Sequence, residues 1–235
     1  MPSLIESSKD FLQYLDDWHE NLPNQSLDQL IAGKPDSIAV ACVDVTVGFC
    51  NEGPLASPRV RRIVEPITQL FTALHDRKVQ HFILPQDTHE PDAVEFGAYP
   101  PHCIRGTREA ETVDEFKALP FSDQFTIMPK NALSAFTDTA LPQWMLAHPE
   151  VTTYIVVGDC SDLCTYNLAL DLRMDANAKQ IQRRVIVVEE CVDTFDIPVD
   201  VAIRQGIRPH PADLHHVLFL HHLEQNGVEI VKQLL

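Results

Sequence analysis

Short, continuous apolar runs that each close on a polar residue or glycine punctuate the chain, and this pattern restricts the fold more than any other feature. Ser37-Ile-Ala-Val-Ala-Cys-Val ends at Asp44, His81-Phe-Ile-Leu-Pro near Asp87, Phe125-Thr-Ile-Met at Lys130, Thr153-Tyr-Ile-Val-Val at Gly158 and Arg184-Val-Ile-Val-Val at Glu189. Runs without polar alternation, bounded by turn signals, read as strands buried on both faces. Helical patterns lie between them at Val60 to Asp76, Cys164 to Ala178 and Val199 to Gly206, with another from Pro211 to Leu223 before a last short strand in Gly227-Val-Glu-Ile-Val. Strands alternating with helices imply a three-layer α/β/α fold around a mostly parallel sheet of five or six strands. Residues 1–36 read as a helical extension, with one helical pattern from Ser3 to about Ala32, and residues 37–235 as a single domain.

In open sheets of this kind, functional groups gather where strands hand over to loops at their carboxyl ends. Asp44, Asp87, Lys130 and the loop from Gly158 to Cys164 all stand at such ends. One strand-end aspartate is adequately explained as a cap for the next helix. Four polar ends of complementary type point to chemistry.

Charge and cysteine usage narrow the function classes. A formal net charge of -16 opposes binding to a nucleic-acid polyanion. No apolar run approaches the roughly 18 residues of a membrane span. The segment MPSLIESSKDFLQYLDDW carries acids where a signal peptide has basic residues. The six cysteines, Cys42, Cys50, Cys103, Cys160, Cys164 and Cys191, are scattered, several within strand-like runs, as expected for free thiols in a reducing compartment. A cytoplasmic location is the expectation.

The stretch Val156-Val-Gly-Asp-Cys-Ser-Asp-Leu-Cys-Thr-Tyr-Asn-Leu-Ala reads as strand, polar turn and helix, with the helix opening at Cys164. A cysteine in a first helical turn feels the positive end of the helix dipole, which favours its thiolate, and the free N–H groups there can hold an oxyanion. Taken alone, Cys164 is better read as a small core residue, the commoner fate of a free cysteine. Asp162 reads as the cap of the helix. His81, His148, His210 and the pairs His215/His216 and His221/His222 read as surface or helix-face residues.

Gly-x-x-Ser-Asp-x-Cys after a strand resembles the nucleophile loop of the nicotinamidase/isochorismatase-like cysteine hydrolases. Three further blocks resemble that family in order: Asp44-Val-Thr-Val-Gly-Phe-Cys-Asn-Glu-Gly-Pro-Leu, Asp87-Thr-His with Tyr99-Pro-Pro-His-Cys-Ile-Arg-Gly-Thr-Arg-Glu-Ala-Glu, and Met128-Pro-Lys-Asn-Ala-Leu-Ser-Ala-Phe-Thr-Asp-Thr. The blocks span about Ile38 to Thr194. Thr46 and Gly48 stand where the family often has Gln and Asp, and Leu163 stands where nicotinamidases usually place an aromatic residue. These departures bear on the substrate more than on the chemistry.

The resemblance implies an amidohydrolase. Cys164 attacks an amide carbonyl to form a thioester, Asp44 moves the proton, and Lys130 holds the carboxylate and stabilises the ion pair. It implies an oxyanion hole from the backbone N–H groups of Cys160 and Cys164, with a cis peptide at Asp159–Cys160. It implies a divalent cation on Asp87, His89 and His102, with Glu95 as a fourth ligand. Zinc is the leading choice, with iron or manganese as alternatives. Phe49 and Tyr99 match the positions that bracket an aromatic ring. The expected partner is a small amide, and a homo-oligomer is expected.

Four functions are weighed: a metal-dependent amidase for nicotinamide or a similar planar amide, the same mechanism on a carbamoyl or ureido substrate, a vinyl ether hydrolase of the isochorismatase type, and a non-catalytic binding protein. The third needs no cysteine and so leaves Cys164 unexplained. The fourth leaves the intact Asp44, Lys130 and Cys164 unexplained.

Overall fold

The apolar runs become six strands: β1 (Ile38–Val43), β2 (His81–Asp87), β3 (Phe125–Lys130), β4 (Thr153–Asp159), β5 (Arg184–Asp193) and β6 (Glu229–Val231). They form one sheet in the order β3-β2-β1-β4-β5-β6, and every neighbouring pair is parallel. The helices are α1 (Leu4–Glu20), α2 (Leu27–Ile31), α3 (Val47–Cys50), α4 (Pro58–Arg62), α5 (Val64–Asp76), α6 (Asp114–Lys117), α7 (Leu141–Ala147), α8 (Cys164–Lys179), α9 (Val199–Gln205) and α10 (Ala212–Gln225). This computed structural model describes residues 3–235. Among them, no helix is long and apolar enough to cross a membrane.

The strand pleat sorts the core into two layers. Ile38, Val40 and Cys42 of β1 join Ile67, Phe71 and Leu74 of α5 on one face. Ala39, Ala41 and Val43 join Leu168 and Leu172 of α8 and Leu220 of α10 on the other. All six residues of β1 are buried, as a central strand covered by helices on both faces requires. Each such valine or isoleucine contributes roughly 1.5–3 kcal/mol on burial.

Several sequence expectations need correction. Residues 3–32 do not form one helix: α1 ends at Glu20, and α2 starts at Leu27. The intervening segment runs extended beside the chain end, with Lys232 N–H donating to Pro23 O at 2.7 Å and Gln25 N–H to Gln233 O at 2.9 Å. Leu22 joins one core layer and Leu27 the other, so this segment wraps the β6 edge of the sheet. Strand β3 is not covered on both faces: it is the opposite edge of the sheet, and Ile127 is 45% exposed. Strand β5 continues past Glu189 to Asp193, and the helix read from Val60 divides at Ile63. The short helix α7 was not legible in the apolar pattern.

The strand order places the functional cleft. The chain builds β1, β2 and β3 outward, then returns to lay β4 on the other side of β1. Connections therefore leave β1 and β4 in opposite directions and open a crevice at their carboxyl ends. The two strands approach closely there. A Cβ on Gly158 would lie 2.1 Å from Val43 O, and the glycine holds φ at +109°. A side chain at this position is barred by space and by backbone conformation alike. Gly158→Ala should therefore destabilise the fold by at least about 1–3 kcal/mol, the range for forced overpacking. A urea midpoint unchanged from wild type would show that β1 and β4 are not in such close register.

Candidate active site

Four strand ends supply the polar groups of the cleft. Asp44 follows β1, Asp87 ends β2, Lys130 ends β3, and Cys164 opens α8 after the loop leaving β4. Parallel register sets Asp87 directly beside Lys130 and Val43 beside Gly158. Residues remote in sequence thus meet at one edge of the sheet.

Lys130 is the centre of the cluster. Its side chain is fully buried, and Nζ lies 2.7 Å from Asp44 Oδ2 and 2.5 Å from Asp87 Oδ1. Nζ also donates to Ala132 O at 3.2 Å and lies 3.7 Å from Cys164 Sγ. Asp44 Oδ1 accepts from the Asp87 backbone N–H at 2.7 Å. Asp44 adopts the left-handed backbone region (φ 55°), which aspartate tolerates better than most residues. Asp44, Asp87 and Cys164 each bring an atom within 4.8 Å of the others.

Burial and charge act against each other here. Burial alone would lower the Lys130 ammonium, but the two carboxylates more than offset it and hold its pKa well above the usual lysine range. Burial and the charge of Asp87 raise the Asp44 carboxyl to about 6, against the pull of Lys130. Asp87 goes the other way: despite burial, Lys130 and the two imidazoles hold it well below the usual carboxylate range. Burial pushes the Cys164 thiol up, with Lys130 the main opposing influence. The thiolate preference expected from the helix terminus is thus outweighed by desolvation in the closed cleft. A thiol beside a carboxylate of raised pKa and a fixed ammonium can shed its proton as it attacks an electrophilic carbon.

Asp159–Cys160 is a cis peptide. Among the described residues, the backbone amides of Cys160 and Cys164 donate to no protein acceptor. The expected capping role of Asp162 is not observed. Leu163 occupies the cap position without a side-chain bond, and Asp162 Oδ2 instead lies 2.7 Å from His210 Nε2 and 3.0 Å from His215 Nδ1. All six cysteines are free and buried. His216 and His221, read as helix-face residues, are also buried, because α10 packs between α8 and α1.

The residues expected to hold a cation converge. His89 Nε2 and His102 Nε2 lie 3.4 and 3.5 Å from Asp87 Oδ2. Atoms bound to one zinc at about 2.1 Å sit about 3.0–3.4 Å apart. Hydrogen bonding leaves the right lone pairs free: His102 Nδ1 donates to Pro100 O at 2.8 Å, and His89 Nδ1 lies 3.2 Å from Asn131 Oδ1. His89 Nε2 is buried without a hydrogen-bond partner, as is Glu95 Oε1, while Glu95 Oε2 accepts from Leu133 N–H. Two imidazoles and a carboxylate, with the His89 Nε2 left orphaned in the protein, fit a divalent cation.

Phe49 and Tyr99 line the same cleft, their rings 5.4 and 6.4 Å from that of His102. Sequence reasoning missed Leu133, Asp159 and Phe195, which also line it, and Asn131, which orients His89. Asn131 adjoins Lys130 and was within reach of the lysine block. Phe195 carried no signal, because only the loop after β5 brings it over the cleft. Burial and the charge of Asp44 push the Asp159 carboxyl well above the usual range.

This architecture, with its cleft at the β1/β4 crevice, is the fold of the isochorismatase-like hydrolases. The isochorismatase domain profile matches residues 38–231, and the chain belongs to that family. It is 29% identical over 238 residues to Nicotinamidase 1 of Arabidopsis thaliana, covering 93% of this chain and 95% of that protein. The fold matches a cysteine hydrolase from Pseudomonas syringae pv. phaseolicola with a TM-score of 0.69 at 22% identity, covering 84% of this chain and 89% of that one. It also matches a Pyrococcus horikoshii pyrazinamidase in complex with zinc, with a TM-score of 0.64 at 20% identity, covering 83% of this chain and 98% of that one.

The charge balance around Lys130 is open to a stability test. Lys130→Met leaves Asp44 and Asp87 buried without their shared cation and should cost about 3–5 kcal/mol. Adding Asp44→Asn removes the uncompensated charge, while Asp87 keeps its imidazole partners, so the double variant should recover much of the loss. Equal urea midpoints for the single and double variants would mean that Lys130 does not act through this carboxylate.

Proposed function

We propose that the protein is an amidohydrolase that cleaves a small, planar primary amide of the nicotinamide kind to its carboxylic acid and ammonia through a thioester on Cys164. The observation that carries this reading is the buried Lys130 ammonium, 3.7 Å from Cys164 Sγ and paired with both Asp44 and Asp87 in a single cleft. The similarity to a plant nicotinamidase over nearly the whole chain supports the substrate class.

As Sγ bonds to the amide carbon, Asp44 takes the thiol proton, and the carbonyl π electrons move onto oxygen. Backbone N–H groups of Cys160 and Cys164 receive that oxyanion. Lys130 keeps Asp44 oriented and offsets the negative charge developing on sulfur. Collapse of the tetrahedral adduct breaks the C–N bond, and Asp44 returns the proton to the departing nitrogen as ammonia. Water then adds to the thioester while Asp44 accepts its proton. The C–S bond breaks, the acid leaves, and the sulfur is reprotonated.

Asp87, His89 and His102, with Glu95, would hold the divalent cation, zinc first among the candidates. When bound, that ion offers a Lewis-acidic site for a ring nitrogen of the substrate. Phe49 and Tyr99 flank the ring, contributing about 0.5–1.5 kcal/mol beyond burial if stacked. Six free cysteines support a reducing, cytoplasmic setting.

The direct test is ammonia release from nicotinamide set against release from a ureido substrate such as an N-carbamoyl amino acid. Nicotinamide should be preferred, and Cys164→Ala should lower its turnover at least about a thousandfold, or about 4 kcal/mol of barrier. Residual activity within tenfold of wild type would exclude the thioester route, and preference for the ureido compound would exclude the substrate assignment. The cation site has its own check. Asn131→Ala frees the His89 ring and should weaken zinc affinity by about 10–100-fold, the range for partners that orient a ligand. Unchanged affinity in a chelator competition would take Asn131 out of the site.

A further inference from the structure

A second cluster of ligating side chains lies behind the nucleophile loop and is unused by the chemistry above. Asp162 Oδ2 is 2.7 Å from His210 Nε2 and 3.0 Å from His215 Nδ1, and the two ring nitrogens are 3.1 Å apart. Three potential donor atoms from two chain segments, the loop after β4 and the start of α10, thus form one small triangle.

Hydrogen bonding limits what the triangle can be. His210 Nδ1 lies 2.8 Å from Phe195 O, a carbonyl that only accepts, so Nδ1 carries a proton. In the neutral His210 ring, Nε2 then presents a lone pair to the carboxylate oxygen. His215 Nδ1 faces both of these atoms. A carboxylate oxygen and a ring lone pair 2.7 Å apart are reconciled by a proton shared within the triangle or by a metal ion at its centre. No lysine or arginine nitrogen comes within 4.0 Å of Asp162 among the described residues. The comparable cluster of His19, His216 and Glu189 differs, because Lys232 Nζ at 2.8 Å from Glu189 Oε2 already supplies a positive charge. The cluster of His81, His148 and Glu150 is looser, with 3.8 Å between His81 and Glu150.

We propose that Asp162, His210 and His215 form a second metal site, taking a borderline first-row divalent ion such as zinc or cobalt. Two imidazoles and one carboxylate on one side of an ion leave its other positions open, the arrangement such ions accept. Two of the separations, 3.0 and 3.1 Å, fall within the roughly 3.0–3.4 Å expected for ligands at about 2.1 Å from a shared ion, and the 2.7 Å between Asp162 and His210 would widen by a few tenths of an ångström on binding. Access is graded: the Asp162 side chain is 2% exposed, that of His210 13% and that of His215 31%, so an ion enters along His215.

The position gives the site a consequence. Asp162 belongs to the loop that delivers Cys164, and His210 stacks on Phe195 with ring centroids 3.9 Å apart. Phe195 lines the cleft. An ion here ties the Cys164 loop, the segment after β5 and the start of α10 together at one point.

Cobalt titration of the chelator-treated full chain, followed by its visible absorption and by elemental analysis, tests the site. Wild type should bind two equivalents tightly. His215→Ala should bind one, and so should the double variant His89→Ala/His102→Ala, because the two clusters share no ligand. His215→Gln, which keeps a polar side chain at this half-open position, should also lose one equivalent, with an unchanged circular dichroism spectrum confirming the fold. If His215→Ala and His215→Gln bind as much cobalt as wild type, the cluster is held by a proton alone and the proposal fails. It also fails if the His89→Ala/His102→Ala variant binds none. Neither result depends on amide turnover, so the site stands or falls separately from the proposed reaction.

Discussion

A fully buried ammonium between two carboxylates is the constraint around which the rest of the cleft is arranged. A lysine at that depth is costly unless its charge is met on several sides. Here Asp44 and Asp87 meet it with their carboxylates, and Ala132 with its carbonyl. Those partners come from different strand ends, so the ion cluster is also a register device. Slippage of β3 against β2 would separate Asp87 from Lys130 and leave charges buried without partners.

Asp87 connects the two halves of the site. One oxygen faces Lys130 and the other faces His89 and His102. The carboxylate is therefore shared between the group that polarises the cysteine's surroundings and the group suited to a divalent cation. In the proposed reaction, occupancy of the cation site and the field at the sulfur are coupled through a single side chain. The second cluster, on Asp162, reaches the same loop from behind.

Much of the architecture was legible because parallel strands buried on both faces leave unbroken apolar runs, and because each run closed on a residue suited to a strand end. Six parallel strands appeared where those runs lay. Legibility failed where neighbours rather than sequence decide exposure. Ile127 reads like any core isoleucine, yet it is exposed on an edge strand. The break between α1 and α2 follows from pairing with a chain end more than two hundred residues away, which no local pattern encodes. At the site, the strand-end residues could be named individually, but Phe195 could not, since it matters only through distant partners.

Chemical identity was thus set by the sequence alone: which strand ends carry Asp44, Asp87, Lys130 and Cys164, and which residues could bind a cation. The tertiary structure decided burial and pairing. Desolvation raises the thiol that the helix terminus alone would have favoured as thiolate, and Asp162 turns to two histidines instead of capping its own helix. The reason is the same in both cases. Electrostatic energies depend on burial and on distances between charges, and these exist only once remote segments have been brought together.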